Sequence, residues 1–493
     1  MSLGPVIGAV SPTMANVWAA LDAPGEVRVQ ARANSAVHDA VGVATPESLL
    51  TTNVTLRGLT ADTRYEVTVR DTMGSLLGGG QFATLPEAPD RFSFAFASCH
   101  RPAAYTSPSA FALWQLLNQK LETDPSFARF LLHIGDQIYA DPIYDAAVEF
   151  LGTHPEAHVR ARQDHYRTLI SQWTREYANL YVTHWQPPFV QSVLKRVPNF
   201  MLWDDHDIGD GWGSRATSGW DTGKALFTAA GTAYRLFQDR HNPVPGMFPL
   251  AFTPTLSTPV CYGYGFAVGK VGFLLPDQRS FRQTYNPTAN DETGAHAILG
   301  DQQATDLARW LASDAASGLK VLFFIATVPF FHSSPKTIGI GSAIEELDAL
   351  DNWIAPANQA DLGFVLDQLF TWQTRTKGRA IILGGDVHMA DVATITAGDQ
   401  ALLQFVSSPI TNHASGGLLE GLLVMESNRD VNIGGIKATF RILDHKAVRN
   451  FGRISVDLTE TDVRIRYEVY AEGAVKPILA AVTLPGPPWL SLE

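Results

Sequence analysis

Four short apolar runs in this chain each end in side chains that bind metals or move protons. Phe94-Ala-Phe-Ala-Ser-Cys-His100 ends in Ser98, Cys99 and His100. Leu131-Leu-His-Ile-Gly-Asp-Gln-Ile-Tyr-Ala-Asp141 ends in Asp136, with Tyr139 and Asp141 close behind. Met201-Leu-Trp-Asp-Asp-His-Asp207 ends in three carboxylates and a histidine, and Ile381-Ile-Leu-Gly-Gly-Asp-Val-His-Met389 in Asp386 and His388. Carboxylates, imidazoles, one thiol and one phenol make a mixed hard and borderline donor set. Several acids at one place repel one another unless a cation neutralises them. A pair of metals bridged by one Asp would resolve that conflict. Such a pair can bind a phosphoryl oxygen, lower the pKa of a bound water and clamp both attacking and leaving oxygens. A thiolate beside a Tyr suits iron, whereas an all-oxygen set suits calcium, magnesium or manganese.

Each cluster alone has a plainer reading. A Gly-Asp after an apolar run is commonly a turn, a single Cys99 a small buried hydrophobe, and Asp204-Asp205 a helix cap or solvated acids. His133 precedes its strand end and reads as a core histidine. Four clusters at equivalent positions favour one shared metal site.

The elements that would position them alternate between apolar runs and helical patterns. The runs are Phe92–Ser98, Phe130–Ile134, Phe200–Trp203, Phe266–Leu275, Val321–Val328 and Ala380–Leu383. Helical patterns lie at Ser109–Glu122, near Arg160–Thr183, near Gln302–Ala312 and at Asn358–Thr374. That order predicts an α/β layered core, in which ligands bind beyond the carboxyl ends of the strands. Gly135, Gly384 and Gly385 would let the backbone turn tightly there. From about Val392 the strands become consecutive, and Ile454–Leu458 with Val463–Val469 read as a hairpin-like pair.

Residues 1–88 differ in texture. Ala15–Leu21 and Glu26–Ala33 read as short strands, and Val54, Leu56, Tyr65, Val67 and Val69 alternate at period two. The Tyr that opens a strand after a turn resembles the tyrosine corner of fibronectin- or immunoglobulin-like sandwiches. The chain is therefore read as a small fibronectin/Ig-like β-sandwich over 1–88 and a catalytic domain over 89–493, joined by the linker Leu85–Asp90. No repeat or low-complexity segment is visible. Gly339–Gly341 lacks the Lys-Ser/Thr ending of a phosphate-binding loop.

With 493 residues at 45% hydrophobic, the chain can bury more than one core. Its 37 basic and 49 acidic residues give a net charge of −12, which argues against a nucleic-acid-binding surface. Two cysteines exclude a disulfide-built scaffold. No apolar run reaches membrane-spanning length. No basic residue precedes Arg28, so the chain as it stands reads as cytoplasmic; a removed leader would make it periplasmic or secreted.

The motifs together resemble the alkaline phosphatase D (PhoD-like) family of the metallophosphoesterase superfamily. Gly135-Asp-Gln-Ile-Tyr139 matches the Gly-Asp-x-x-Tyr motif, Trp203-Asp-Asp-His206 the form of that branch, and Gly385-Asp-Val-His388 the late Gly-Asp-x-His. Ser98-Cys99, Asp277-Gln-Arg279 and Ser407-Ser-Pro-Ile410 add support. The resemblance implies two β-sheets flanked by helices. It also implies Asp136 as the bridging carboxylate, Cys99 and Tyr139 on an Fe(3+) ion, and Asp205 on a second, divalent ion (Ca, Mg, Mn or Zn). Asp386 and His388 would complete the two spheres, and His206 would stabilise or protonate the leaving oxygen. Arg279 is a candidate for the substrate phosphate, with a structural ion pair equally open. His100 stands where the family commonly has Gln, as a possible ligand or phosphate contact. The Val-x-x-His ligand of purple acid phosphatases is absent, since Val328 leads to Phe331, with His332 one position late. Asp207 and Asp210 make the second site more acidic than the family pattern.

The expectation is a metal-dependent hydrolase of small phosphoric esters, phosphodiesterase or phosphomonoesterase, using a metal-activated water. Alternatives are a hydrolase of sulfate or phosphonate esters on the same scaffold and a non-catalytic metal-containing binding protein. Segments 140–165 and 330–360 would set pocket width. The acidic stretch Glu345–Asp351 reads as a solvated face, with a lid helix as the other reading.

Overall fold

The computed structural model describes residues 3–102, 108–153, 162–214, 221–255, 259–283, 296–332, 349–415, 428–459 and 463–493. Gly339–Gly341 and most of the stretch from Glu345 lie outside the described residues. Two large sheets form the centre. The seven-stranded sheet runs, in spatial order, Asn199–Leu202, Leu131–Ile134, Arg91–Ala97, Asn450–Asp457, Arg464–Ala471, Leu479–Thr483 and Leu490–Leu492. Its first three strands are parallel and the rest antiparallel. The nine-stranded sheet carries a parallel block of Val271–Leu275, Val321–Ala326, Arg379–Gly384 and Gln400–Ser407. Antiparallel strands flank that block on both sides.

Strands covered on both faces should be apolar throughout, and Leu131–Ile134, Val271–Leu275 and Val321–Ala326 are buried at every position. The inner faces meet in an aromatic core, where Phe94 stacks on Phe130 and stands edge-on to Phe273 and Phe323 across the two sheets. Helices Ala112–Thr123, Arg162–Trp185 and Asp221–Phe237 cover the outer face of the seven-stranded sheet, and Asp301–Ala312 and Gln359–Thr376 that of the other. The result is four layers, helix–sheet–sheet–helix.

Two details differ from the sequence reading. Phe266–Leu275 is not one strand but the antiparallel pair Tyr264–Val268 and Val271–Leu275, turned at Gly269 with φ 56°. Helix Asp221–Phe237 was not singled out, although Leu226, Ala229, Ala230, Ala233 and Phe237 form a buried stripe at helical spacing.

The first seven strands, between Leu3 and Ala83, form a three-stranded and a four-stranded sheet around their own core, which includes Val17, Val29, Tyr65 and Val67. Tyr65 Oη accepts the N–H of Thr60 at 2.9 Å. Trp18 leaves that core and enters the helical layer, donating its indole N–H to Leu236 O at 2.8 Å and meeting Trp185 edge-on at 5.7 Å. No helix among the described residues is long and apolar enough to cross a membrane.

Candidate metal centre

Parallel strands bring their carboxyl ends to one edge of a sheet, and both sheets present that edge to the same place. Cys99 follows Arg91–Ala97, Asp136 follows Leu131–Ile134, and Asp204, Asp205 and His206 follow Asn199–Leu202. The other sheet supplies Arg279, Thr327, Asp386, His388 and Ser408 from the ends of its own parallel block. Hydrogen bonds knit the two edges together: Ile410 N–H to Ser98 O at 3.0 Å and Thr327 Oγ1 to Asp204 Oδ1 at 2.7 Å, while Gly385 N–H to Thr327 O at 2.9 Å ties neighbouring strand ends within the larger sheet.

The approach is close enough to require glycine. A Cβ on Gly135 would lie 2.6 Å from Asp204 Cβ, and one on Gly385 would lie 2.5 Å from Ser98 Oγ. Four of the expected ligands are themselves left-handed: Cys99 (φ 57°), Asp136 (55°), Asp386 (58°) and His388 (56°). Each such residue costs on the order of 1–2 kcal/mol, and strain of this kind gathers at functional sites.

Asp136 is the centre of the arrangement. Its Oδ2 accepts the Cys99 thiol and the Tyr139 hydroxyl, both at 3.3 Å, and Tyr139 Oη lies 3.3 Å from His388 Nε2. Its Oδ1 is buried without a hydrogen-bond partner, as is Oδ2 of Asp204. Asp136, Asp204, Asp205 and Asp386 offer oxygens that all lie within 4.8 Å of one another, and Asp136, Asp205 and His206 form a second such group. Burial, compounded by the neighbouring carboxylates, pushes Asp136 and Asp386 well above the ordinary carboxylate range. Burial works against ionisation of Asp205 as well, but His206, Arg279 and the Gly211 N–H hold its carboxyl below the ordinary value. Two buried orphan oxygens among four converging carboxylates have the chemistry of a site that could hold cations.

His206 stands beside this cluster. Its Nδ1–H donates to Asp141 Oδ1 at 2.6 Å, and its ring lies against Tyr139 with centroids 4.1 Å apart. Burial pulls its pKa down, yet Asp205, Asp136 and Asp141 together hold it well above the usual histidine value. The imidazole is thus oriented through Nδ1 beside Asp136 and Asp205.

Other expected residues are placed differently. Arg279 is fully buried, and all three guanidinium nitrogens are engaged: Nε by Asp204, Nη1 by Asp351 Oδ1 at 2.7 Å and Trp212 O at 3.1 Å, Nη2 by Asp351 Oδ2 at 2.7 Å and Asp205 Oδ1 at 3.4 Å. This geometry is the ion-pair alternative to the phosphate-binding expectation. His100 was expected as a ligand or a phosphate contact. It is fully buried; its Nε2–H donates to His184 O at 2.9 Å, and its Nδ1 receives the Trp114 indole at 3.2 Å and lies 3.1 Å from Thr411 Oγ1. Asp207 turns away from the cluster, accepting Asp204 N–H at 2.9 Å, Gln238 Nε2 at 3.0 Å and Tyr181 Oη at 3.2 Å. Asp210 belongs to neither carboxylate group among the described residues. His133 binds Gln137 and Asn199, and His332 pairs with Asp391 at 3.4 Å.

Several residues had no assigned role in the sequence. Asp204 joins Asp205 in the cluster, Ser408 Oγ donates to Cys99 Sγ at 3.0 Å, and Asn412 Nδ2 lies 3.2 Å from His388 Nε2. Asp351, the last residue of the stretch read as a solvated face, is 2% exposed and locked between Arg279 and Arg282. Arg101 is half-buried, with its guanidinium 5.1 Å from the Tyr139 ring centroid. The doubled Asp and the Asp five residues after Asp136 were the legible signals; nothing local pointed to Asp351.

Comparison with known proteins agrees with the order of these elements. The family described as PhoD-like phosphatase matches residues 94–467, and a domain of unknown function (DUF7800) matches residues 1–80. The solved structure described as "Structure of PhoD" has a TM-score of 0.71 at 15% identity, covering 99% of this chain and 91% of that one, a likeness of fold. One described as "Myokine structure" covers 17% of this chain and 95% of its own at 17% identity, with a TM-score of 0.15 that carries no argument. No curated protein matches.

Proposed function

The chain belongs to the PhoD-like phosphatase family, and from that premise we propose that it is a metal-dependent hydrolase of small phosphodiesters or phosphomonoesters. The observation that carries this reading is Asp136. One of its oxygens meets a thiol and a phenol, and the other is buried without a partner among three more carboxylates and His206. Asp136 with Cys99 and Tyr139 would hold an iron-type cation, and Asp136 with Asp204 and Asp205 would hold a divalent one. Asp386 and His388 close the set from the opposite sheet. When bound, the cations supply Lewis acidity at the phosphoryl oxygens and lower the pKa of a bound water.

The chain's own groups do the rest. Asp141 fixes the His206 tautomer with Nδ1–H directed at its carboxylate, so that Nε2 can carry a proton to the departing alkoxide. Arg279, Thr327 and Gly211 hold Asp204 and Asp205 in place through the bonds described above. Ser408 steadies the Cys99 sulfur.

The test is hydrolysis of an aryl phosphate, an aryl phosphodiester and an aryl sulfate by the purified protein and by Asp136→Ala. The wild type is expected to turn over one of the phosphates and the variant neither, with the variant still folded by circular dichroism. Undiminished activity in Asp136→Ala would refute the reading, and preference for the sulfate would move the substrate class.

A further inference from the structure

The site has two cations in the chain that the sequence offered to a substrate phosphate, and both are spent elsewhere. Arg279 is enclosed by Asp204, Asp205, Asp351 and the Trp212 carbonyl, while His100 is sealed among Trp114, Thr411 and the His184 carbonyl.

The residue after His100 is placed otherwise. Cys99 adopts a left-handed φ of 57°, and His100 is pinned on three sides, so the backbone leaves the buried layer at Arg101. The Arg101 guanidinium stands 5.1 Å from the ring centroid of Tyr139, the residue whose hydroxyl meets both Asp136 and His388. The side chain is half-buried, and among the described residues it has no carboxylate partner. An arginine with no acid partner among the described residues, beside a centre rich in acids, is positioned for an anion that arrives from solution. Its planar fork matches two non-bridging phosphoryl oxygens.

We propose that Arg101 is a substrate-binding residue that grips the non-bridging oxygens of the phosphoryl group, the role the sequence suggested for Arg279 or His100. The inference rests on the phosphoesterase reading above and deepens it. Its guanidinium stands over the Tyr139 ring, so the charge is held near the reacting centre without being consumed by an ion pair among the described residues.

The test uses the metal-loaded full chain with Arg101→Met, which keeps a long apolar stem over Tyr139 but removes the charge, and Arg101→Lys, which keeps a charge without the fork. Three quantities are read: KM for an aryl phosphate ester, the dissociation constant of inorganic phosphate by calorimetry, and metal content. Arg101→Met is expected to raise both KM and the phosphate constant about 10- to 100-fold, the range for losing a charge-assisted pair of bonds, with metal content unchanged. Arg101→Lys should recover part of that loss. Constants within twofold of wild type in Arg101→Met would overturn the proposal, as would a loss of metal, which would place Arg101 in the support of Tyr139. A wild-type protein that binds phosphate through Arg101 but hydrolyses no ester would uphold the inference and refute the function.

Discussion

Asp351 holds both terminal nitrogens of Arg279, each at 2.7 Å, although the two residues are 72 positions apart and both are buried. Arg279 turns the same guanidinium to Asp204 and Asp205, so a segment remote from the centre braces two of its carboxylates. Removing one partner of a buried pair leaves a charge with nothing to offset its desolvation.

Asp351→Ala should therefore cost about 3–5 kcal/mol of stability, the range for a broken buried ion pair. It should also weaken metal retention, because Asp204 and Asp205 lose their brace. Urea unfolding and metal analysis after dialysis against a chelator check both effects; a variant with wild-type stability would show that the brace is dispensable.

Asp141 Oδ1 accepts His206 Nδ1–H at 2.6 Å and the Asp210 N–H at 3.0 Å, and among the described residues it reaches the carboxylate cluster through His206, so Asp141→Asn tests the orientation of that imidazole. A decrease in kcat of about 10- to 100-fold, with KM nearly unchanged, is expected, as a fraction of what general acid catalysis supplies. An equal change in KM would mean that Asp141 shapes binding instead.

Tyr139 and Cys99 on ferric iron should give a visible charge-transfer band in the purified protein. Tyr139→Phe should lose or strongly shift that band while the fold persists. A colourless wild-type protein, fully active and free of iron, would replace the iron assignment with a plainer two-metal centre.

The buried histidines set an acid limit. Burial takes His241 from 6.5 down to about 3, and His133 and His184 down to about 4. The unfolded chain takes up protons on these groups below about 6.5, while the folded chain does not, so the unfolded state binds more protons there. Stability is thus complete above about 6.5 and falls as pH drops toward 4 and 3. Urea midpoints measured from pH 7 to pH 4 should decline, and His241→Gln should make the decline shallower. An unchanged slope in that variant would show that His241 carries none of it.

The layered order of strands and helices was legible because apolar runs and their spacing follow directly from burial. Phe266–Leu275 was read as one run because only Gly269 and Lys270 interrupt its largely apolar sequence, and the positive φ at Gly269 turns the chain there into two strands. The helix Asp221–Phe237 carried a periodic stripe that the motifs around it overshadowed.

For the centre itself, the sequence by itself determined where the candidate donors fall. Cys99, Asp136, Asp205, His206, Asp386 and His388 all lie just past strand ends, and parallel strands deliver such residues to one edge; the part of Asp204 in the cluster came only from the structure. Tertiary structure alone decided the use of the long cations. A strand end fixes where a short Asp or Cys side chain points, but an Arg reaches far enough to choose among partners from several elements. Arg279 found its carboxylates 72 to 75 positions away and became part of the frame. Arg101, carried outward by the left-handed turn at Cys99 and the anchored His100, met no acid among the described residues and stayed at the centre's edge. That choice depends on which opposite charges the fold brings within reach, a fact of three-dimensional proximity that local spacing does not contain.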